Sequence, residues 1–255
     1  MKKIGIVGGI GWQSTVDYYT ELCHRAEQLC LASDPHQVPS TPEFSIESLD
    51  MYKAIAYLGC DGNEESWLRF DDYHREALLR LAASGAELAL LASNTPHHRF
   101  ATIVRGVGIP VINLYAVIAQ HCARVSARSV LILGTSFTMK SAMLRSAFAQ
   151  SGVEAAAPHT AAARVEVAQL VRELQLNRLE GAAQRIDRIV RFSSTHFTVA
   201  PTACLACTEL LLAFPEHKRT AMFEVDGIRY INASALHMDA AFQLAEQVMR
   251  ASARL

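Results

Sequence analysis

The sequence starts over near its midpoint. Lys2-Lys3-Ile4-Gly5-Ile6-Val7-Gly8-Gly9 is echoed by Arg128-Ser129-Val130-Leu131-Ile132-Leu133-Gly134-Thr135. Each copy sets a basic residue before an apolar run, a glycine turn and a helix start. A second pair of apolar runs follows in matching places. Residues 87–92 end in Ser93-Asn94-Thr95, and residues 202–206 end in Cys207-Thr208-Glu209. Gly8 to Ser93 spans 85 positions and Gly134 to Cys207 spans 73, so the halves agree in layout and loosely in length. The repetition predicts two similar α/β lobes, residues 1–116 with 226–255 and residues 117–225. Ligands are then expected where strand C-termini meet the crevice between lobes.

The pattern along the chain alternates short apolar runs with helical spacing. Residues 3–7 predict a strand, and Ser14-Thr15 opens a helix carrying Tyr18, Tyr19, Leu22 and Ala26. A strand is expected over 44–49, then a long helix from Asn63 to near Gly85. Further strands are expected over 87–92 and 109–113, with a helix over 116–125. Each strand is followed by a helix, which implies parallel sheets with right-handed crossovers. A short strand around 229–231 precedes a last helix over 233–255, expected to pack on the first lobe.

Composition narrows the class of function. The chain is 51% hydrophobic and 19% charged with a net charge of −1, and no basic or acidic block points to nucleic acid or an anionic membrane. No run approaches the roughly 18 apolar residues of a spanning helix. Met1-Lys2-Lys3 leads into a glycine-interrupted strand rather than a signal peptide. Six irregularly spaced cysteines suggest reduced thiols in the cytoplasm.

Single motifs carry less. Gly9-x-Gly11-x-x-Ser14 follows a strand as a dinucleotide fingerprint does, yet Ser replaces its third glycine and no acidic residue closes a second strand. Its glycines can turn the chain tightly and leave amides for a carboxylate at the helix start. Cys204-x-x-Cys207 lacks the second ligand pair of a zinc site. Strand alternation turns the two thiols to opposite faces, with Cys204 toward the core. His97 and His98 read as solvated or capping residues, or as contacts of the site. Cys23, Cys30, Cys60 and Cys122 read as small packing residues. Cys207 differs, because the free amides of the helix start expected at Thr208 would lower a thiol pKa below its usual value of about 8.5. A buried, inert cysteine is the other reading.

Taken together, Gly8-Gly9-Ile10-Gly11-Trp12-Gln13-Ser14-Thr15, Ser93-Asn94-Thr95, Gly134-Thr135 and Cys207-Thr208-Glu209 resemble the aspartate/glutamate racemase superfamily, nearest its aspartate racemase-like branch. The resemblance covers nearly the whole chain, to His237. It implies two pseudo-symmetric lobes with the active site in the interlobe cleft, no pyridoxal or other cofactor, a small amino-acid or carboxylic-acid substrate, and a homodimer. It also implies two cysteines on opposite faces of the α-carbon, one removing the proton and the other returning one.

Carried over by position, Cys207 is the second-lobe acid/base facing the L enantiomer, and Ser93 stands where the first cysteine is expected. Gly9, Ile10, Asn94, Thr95, Thr135, Thr208 and Glu209 would contact substrate, with Ser14-Thr15 helping to close the site. A serine hydroxyl is a far poorer base than a thiolate, so the expected chemistry is lopsided: ready α-proton exchange of an L substrate and slow inversion. Where relatives that take acidic amino acids carry a lysine, the nearest cation is Arg164. The usual glycine before the second cysteine is Ala206, and the C-terminal aspartate of relatives is Asn232. Aspartate or glutamate is the expected substrate. A single-cysteine decarboxylase or isomerase, and a non-catalytic carboxylate binder, are the alternatives.

Overall fold

The computed structural model describes residues 1–36, 38, 39 and 41–252. The chain divides into two compact units, Met1–Asn113 with Met238–Leu255, and Leu114–His237.

In the first unit β1 (Ile4–Gly8) leads into α1 (Trp12–Ser33), β2 (Phe44–Ser48), α2 (Met51–Ala56), α3 (Leu68–Ala83), β3 (Leu88–Leu91) and α4 (Phe100–Ile103). The strand order is β2-β1-β3, all parallel. Alternate residues point to one face of a strand. Thus Ile4, Ile6, Leu88 and Leu90 form a core with Tyr18 and Leu22 of α1 and with Met238, Ala241 and Ala245 of the C-terminal helix. On the other face Gly5 leaves room for α3, because a Cβ there would lie 3.1 Å from Leu81 Cδ1 and Ala86 Cβ. Asn63 accepts from the Ser66 amide and caps a 3-10 turn, Glu64–Trp67, so the helix expected from Asn63 begins at Leu68. The strand expected over 109–113 is reduced to one parallel bridge, Ala89 to Val111. Pro110 offers no backbone donor to extend the ladder.

The second unit runs through α5 (Leu114–Arg124), β4 (Ser129–Leu133), α6 (Ser136–Lys140), α7 (Ala142–Gln150), β5 (Glu154–Ala156), α8 (Ala161–Gln175), α9 (Ala182–Ser194), β6 (Thr202–Leu205), β7 (Met222–Val225) and β8 (Ile228–Asn232), into α10 (Ala233–Ser252). Its sheet has the order β5-β4-β6-β8-β7 and is parallel except for β7. Leu131, Leu133, Ala203 and Leu205 face the helices α8 and α9. Val130, Ile132 and Cys204 face α5 and α7. Sheets covered on both faces read as continuous apolar runs, as these do.

Two expectations change here. Not every strand is followed by a helix, since β7 and β8 form an antiparallel hairpin. Its turn is Asp226-Gly227 with φ of 50° and 77°, the left-handed pair that a two-residue hairpin requires and that Asp-Gly supplies. The strand expected near 229–231 with the first lobe is β8, which pairs with β6 in the second sheet. The internal repeat is legible in the topology: β2-β1-β3 with the Val111 bridge beside β3 matches β5-β4-β6 with β8 beside β6.

Candidate functional site

The two strand ends are in the same register. In the first sheet Val7 lies opposite Leu91, and the Ala92 amide donates to the Val7 carbonyl at 2.9 Å. In the second, Leu133 lies opposite Leu205, and the Ala206 amide donates to the Leu133 carbonyl at 2.8 Å. The next residues are Ser93 and Cys207. They occupy equivalent positions of the two sheets, each just past the last ladder bond, where the chain leaves the strand.

Cys207 is extended, with φ −143° and ψ 128°, and precedes a 3-10 turn, Thr208–Ala213, rather than an α-helix. Its thiol is buried and donates to Glu209 Oε2 at 2.9 Å. The same oxygen accepts from Thr208 Oγ1 at 3.0 Å, while Gln175 Nε2, at the end of α8, reaches Oε1 at 3.3 Å. Burial, and then the neighbouring Glu209 carboxylate, hold the thiol well above its ordinary pKa. Backbone amides of Glu209 and Thr135 do point at the sulfur and pull the other way, but they are outweighed. The expected activation by free amides is therefore present in kind and reversed in outcome. Burial, with a carboxylate two residues on, outweighs it, and the resting side chain is a protonated thiol.

Thr135 completes this strand end. Its hydroxyl caps α6 by accepting from the Thr138 amide at 3.1 Å and lies 3.0 Å from Thr138 Oγ1. Gly134 sits where a Cβ would come within 3.1 Å of the Ala206 carbonyl. The close approach of these turns brings the Thr135 amide to Cys207.

At the first strand end the glycine turn is tied down from within. Thr15 Oγ1 accepts from the Gly9 amide at 2.8 Å, so Thr15 and that amide are spent on each other. Gly9 has φ 86°, and a Cβ there would overlap Leu49 backbone atoms. Ile10 is partly exposed beside it, Ser14 and Asn94 are buried, and Ser93 and Thr95 are half-buried. No described side chain is hydrogen-bonded to Ser93 Oγ. His97 is buried rather than solvated, and its Nε2 lies 3.3 Å from the Leu91 carbonyl. His98 sits 3.2 Å from Asp61. Arg99 then binds Asp71 and Glu64 through paired contacts and stacks over Trp67. The segment after Ser93 is thereby fastened to α3, a clamp that no local motif announces.

Other candidates lie elsewhere. Arg164 donates to the carbonyls of Pro158 and His159 at 2.7 and 3.0 Å, at the start of α8, while Gln175 at the opposite end of α8 is the residue that reaches Glu209. Asn232 caps α10, accepting from the Ala235 amide at 2.9 Å and donating to the carbonyls of His217 and Lys218. Cys204 and Cys122 belong to one apolar cluster and Cys207 to another, as alternation requires. Burial pushes the Cys122 thiol up to about 12. Gln175 is the contact of Glu209 that sequence reasoning missed, because nothing local links the end of one helix to a turn 34 residues on.

The fold and these strand ends define an α/β protein of two internally repeated units, with Ser93 and Cys207 at equivalent strand-end positions. Residues 7–241 match the family described as Asp/Glu/hydantoin racemase, and the chain belongs to that family. An aspartate racemase homologue from Pyrococcus horikoshii is 25% identical with a TM-score of 0.74, the match covering 96% of this chain and 100% of that one. An aspartate racemase from Picrophilus torridus is 19% identical with a TM-score of 0.71, over 96% and 94% of the two chains. A glutamate racemase from Francisella tularensis, solved with D-glutamate, is 14% identical with a TM-score of 0.60, over 97% and 82%. Family and neighbours support an amino-acid racemase.

Proposed function

We propose that the protein racemises or epimerises an amino acid, aspartate or glutamate, without a cofactor, with Cys207 as its main acid/base on the L side and Ser93 as the poorer one on the D side. The observation that carries the reading is the Cys207–Glu209 pair at the end of β6, at the register position that Ser93 holds after β3. An α-C–H is weakly acidic, so the charge left on the carboxylate as its proton departs must meet preorganised donors. Asn94, Thr95 and Thr208 are the donors assigned to that carboxylate, with Gly9, Ile10 and Thr135 lining the site.

The chemistry follows from the thiol's state. Cys207 rests protonated, so to act as a base it first passes its proton along the 2.9 Å contact to Glu209. The thiolate left behind is then held by the Glu209 and Thr135 amides. It takes the α-proton of an L substrate: the C–H bond breaks, an S–H bond forms, and the electron pair spreads into the carboxylate. Return of a proton to the opposite face gives the D isomer. With a hydroxyl at Ser93 and no base bonded to it, that return is slow, and protonation from Cys207 restores the L isomer.

A resting thiol is also a ready proton donor, and this favours a second reading, a decarboxylase or isomerase of a related carboxylic acid. There the C–C bond breaks, carbon dioxide leaves, and Cys207 protonates the carbanion. Proton NMR in heavy water with L- and D-aspartate and L- and D-glutamate separates the two. Washout of the α-proton from an L isomer with little D product is expected. No exchange with any of the four, together with carbon dioxide release from a malonate-type acid, would replace the first reading by the second.

A further inference from the structure

Glu209 takes the Cys207 proton in the proposed reaction, and it is a buried acid held by neutral donors. It is 7% exposed and lies in the first turn of the 3-10 segment Thr208–Ala213. Its Oε2 accepts from the Cys207 thiol and the Thr208 hydroxyl, and its Oε1 accepts from Gln175 Nε2 at 3.3 Å. Among the described residues no lysine, arginine or histidine pairs with it. A buried carboxylate oxygen left without a donor costs free energy. A glutamate side chain has several rotatable bonds, so a carboxylate that loses its donor on Oε1 relieves that cost by turning toward water.

The donor on Oε1 is placed by the end of α8, 34 residues away in the chain. Gln175 is the last residue of that helix. Asn177 follows with φ 59°, the left-handed conformation that asparagine tolerates better than most residues. Its amide donates to the Leu174 carbonyl at 2.9 Å, and the Arg178 amide donates to the Glu173 carbonyl at 3.0 Å. This pair of bonds is a Schellman ending, which stops the helix at a defined residue. Leu170, Val171 and Leu174 share one core cluster with Leu210 and Leu211 of the 3-10 turn. Helix end and turn are therefore fixed against each other beside the Gln175–Glu209 contact. Gln175 itself is exposed, so substituting it disturbs little of the core.

We propose that Gln175 is a positioning residue of the reaction: its amide, on Oε1, keeps Oε2 of Glu209 on the Cys207 sulfur, where the proton is handed over. The inference rests on Glu209 as the proton acceptor of Cys207. Gln175→Met keeps the length of the side chain and removes its donor. In the heavy-water assay the variant is expected to lower kcat for α-proton washout from the L substrate at least about tenfold. KM is expected to stay within about twofold, because the amide acts on the proton transfer and not on substrate binding. Iodoacetamide labelling, read on the Cys207 peptide by mass spectrometry, tests the same contact without a substrate. With the carboxylate turned away from the sulfur, labelling at pH 7.5 is expected to run about threefold or more faster than in the wild type. Added to Glu209→Gln, the same substitution is expected to leave the labelling rate where it is, since Gln175 acts through the carboxylate. An unchanged kcat, a single-variant labelling rate equal to or below the wild type, or an equal gain in both backgrounds would each overturn the proposal. A wild type without washout from any of the four amino acids would strike the proposed reaction instead, and the two labelling comparisons would still decide whether Gln175 holds Glu209 on the sulfur.

Discussion

The Cys207 thiol donates to the Glu209 carboxylate across 2.9 Å, and this contact adds to burial in holding the thiol protonated. Removing the negative charge while keeping the shape should lower the thiol pKa and make the sulfur more reactive toward an alkylating agent, yet leave it without a proton acceptor. For Glu209→Gln we therefore expect faster iodoacetamide labelling of Cys207 at pH 7.5 and at least about a hundredfold loss of α-proton exchange. Slower labelling in the variant would mean that the amides of Glu209 and Thr135, rather than the carboxylate, govern the sulfur.

Ser93 and Cys207 share a register position but not a chemistry. Ser93→Cys puts a thiol at the end of β3 in a place already half-buried and unoccupied by a side-chain partner. D product from an L substrate should rise about a hundredfold or more, while L-side washout changes little. Cys207→Ala should abolish washout from the L isomer. If Ser93→Cys left the rate of inversion where it was, the first strand end would not be an acid/base position at all.

How much of this could be read from the residues varies by element. The two strand–turn–helix repeats were legible because buried parallel strands are continuous apolar runs and glycine marks their ends. The hairpin of β7 and β8 has its turn in Asp226-Gly227, but its strands are only four and five residues long and β8 runs directly into a helix, so its alternation is weak in the residues. The strand-end positions of Ser93 and Cys207 were visible, but the state of the thiol was not. It depends on burial and on a carboxylate whose rotamer only the fold determines. Arg99 and Gln175 were invisible for a related reason, since each meets its partner through tertiary packing that no local spacing records.

Arg99 holds two carboxylates of very different standing. Asp71 is 2% exposed in its side chain and Glu64 is 80% exposed. Removing one partner of a buried pair strands the other charge, whereas a solvated partner is replaced by water. Asp71→Ala is expected to cost about 3 kcal/mol in urea unfolding, and Glu64→Ala to leave the midpoint where it is. Because the clamp fastens the segment after Ser93, a milder Arg99→Lys change should raise KM for the carboxylate substrate more than it lowers kcat. Equal losses from the two alanine variants would show that solvent exposure does not decide this network.

Acid should find its weak point at His74. The ring is fully buried, its Nδ1 lies 2.8 Å from the Phe70 carbonyl, and among the described residues its Nε2 has no hydrogen-bond partner. Burial lowers its pKa from 6.5 to about 4. The unfolded chain then takes up a proton below about pH 6.5 that the folded chain refuses until about pH 4. Stability from this site is flat above pH 6.5, falls as pH drops through that window, and levels off below it. The full loss is on the order of 3 kcal/mol. His74→Phe removes the titrating group and keeps a ring in a site already lined by Phe70 and Tyr73. Urea midpoints measured at pH 7.5 and pH 4.5 should therefore diverge less in the variant than in the wild type. An identical pH dependence in both would assign the acid sensitivity to the carboxylates instead.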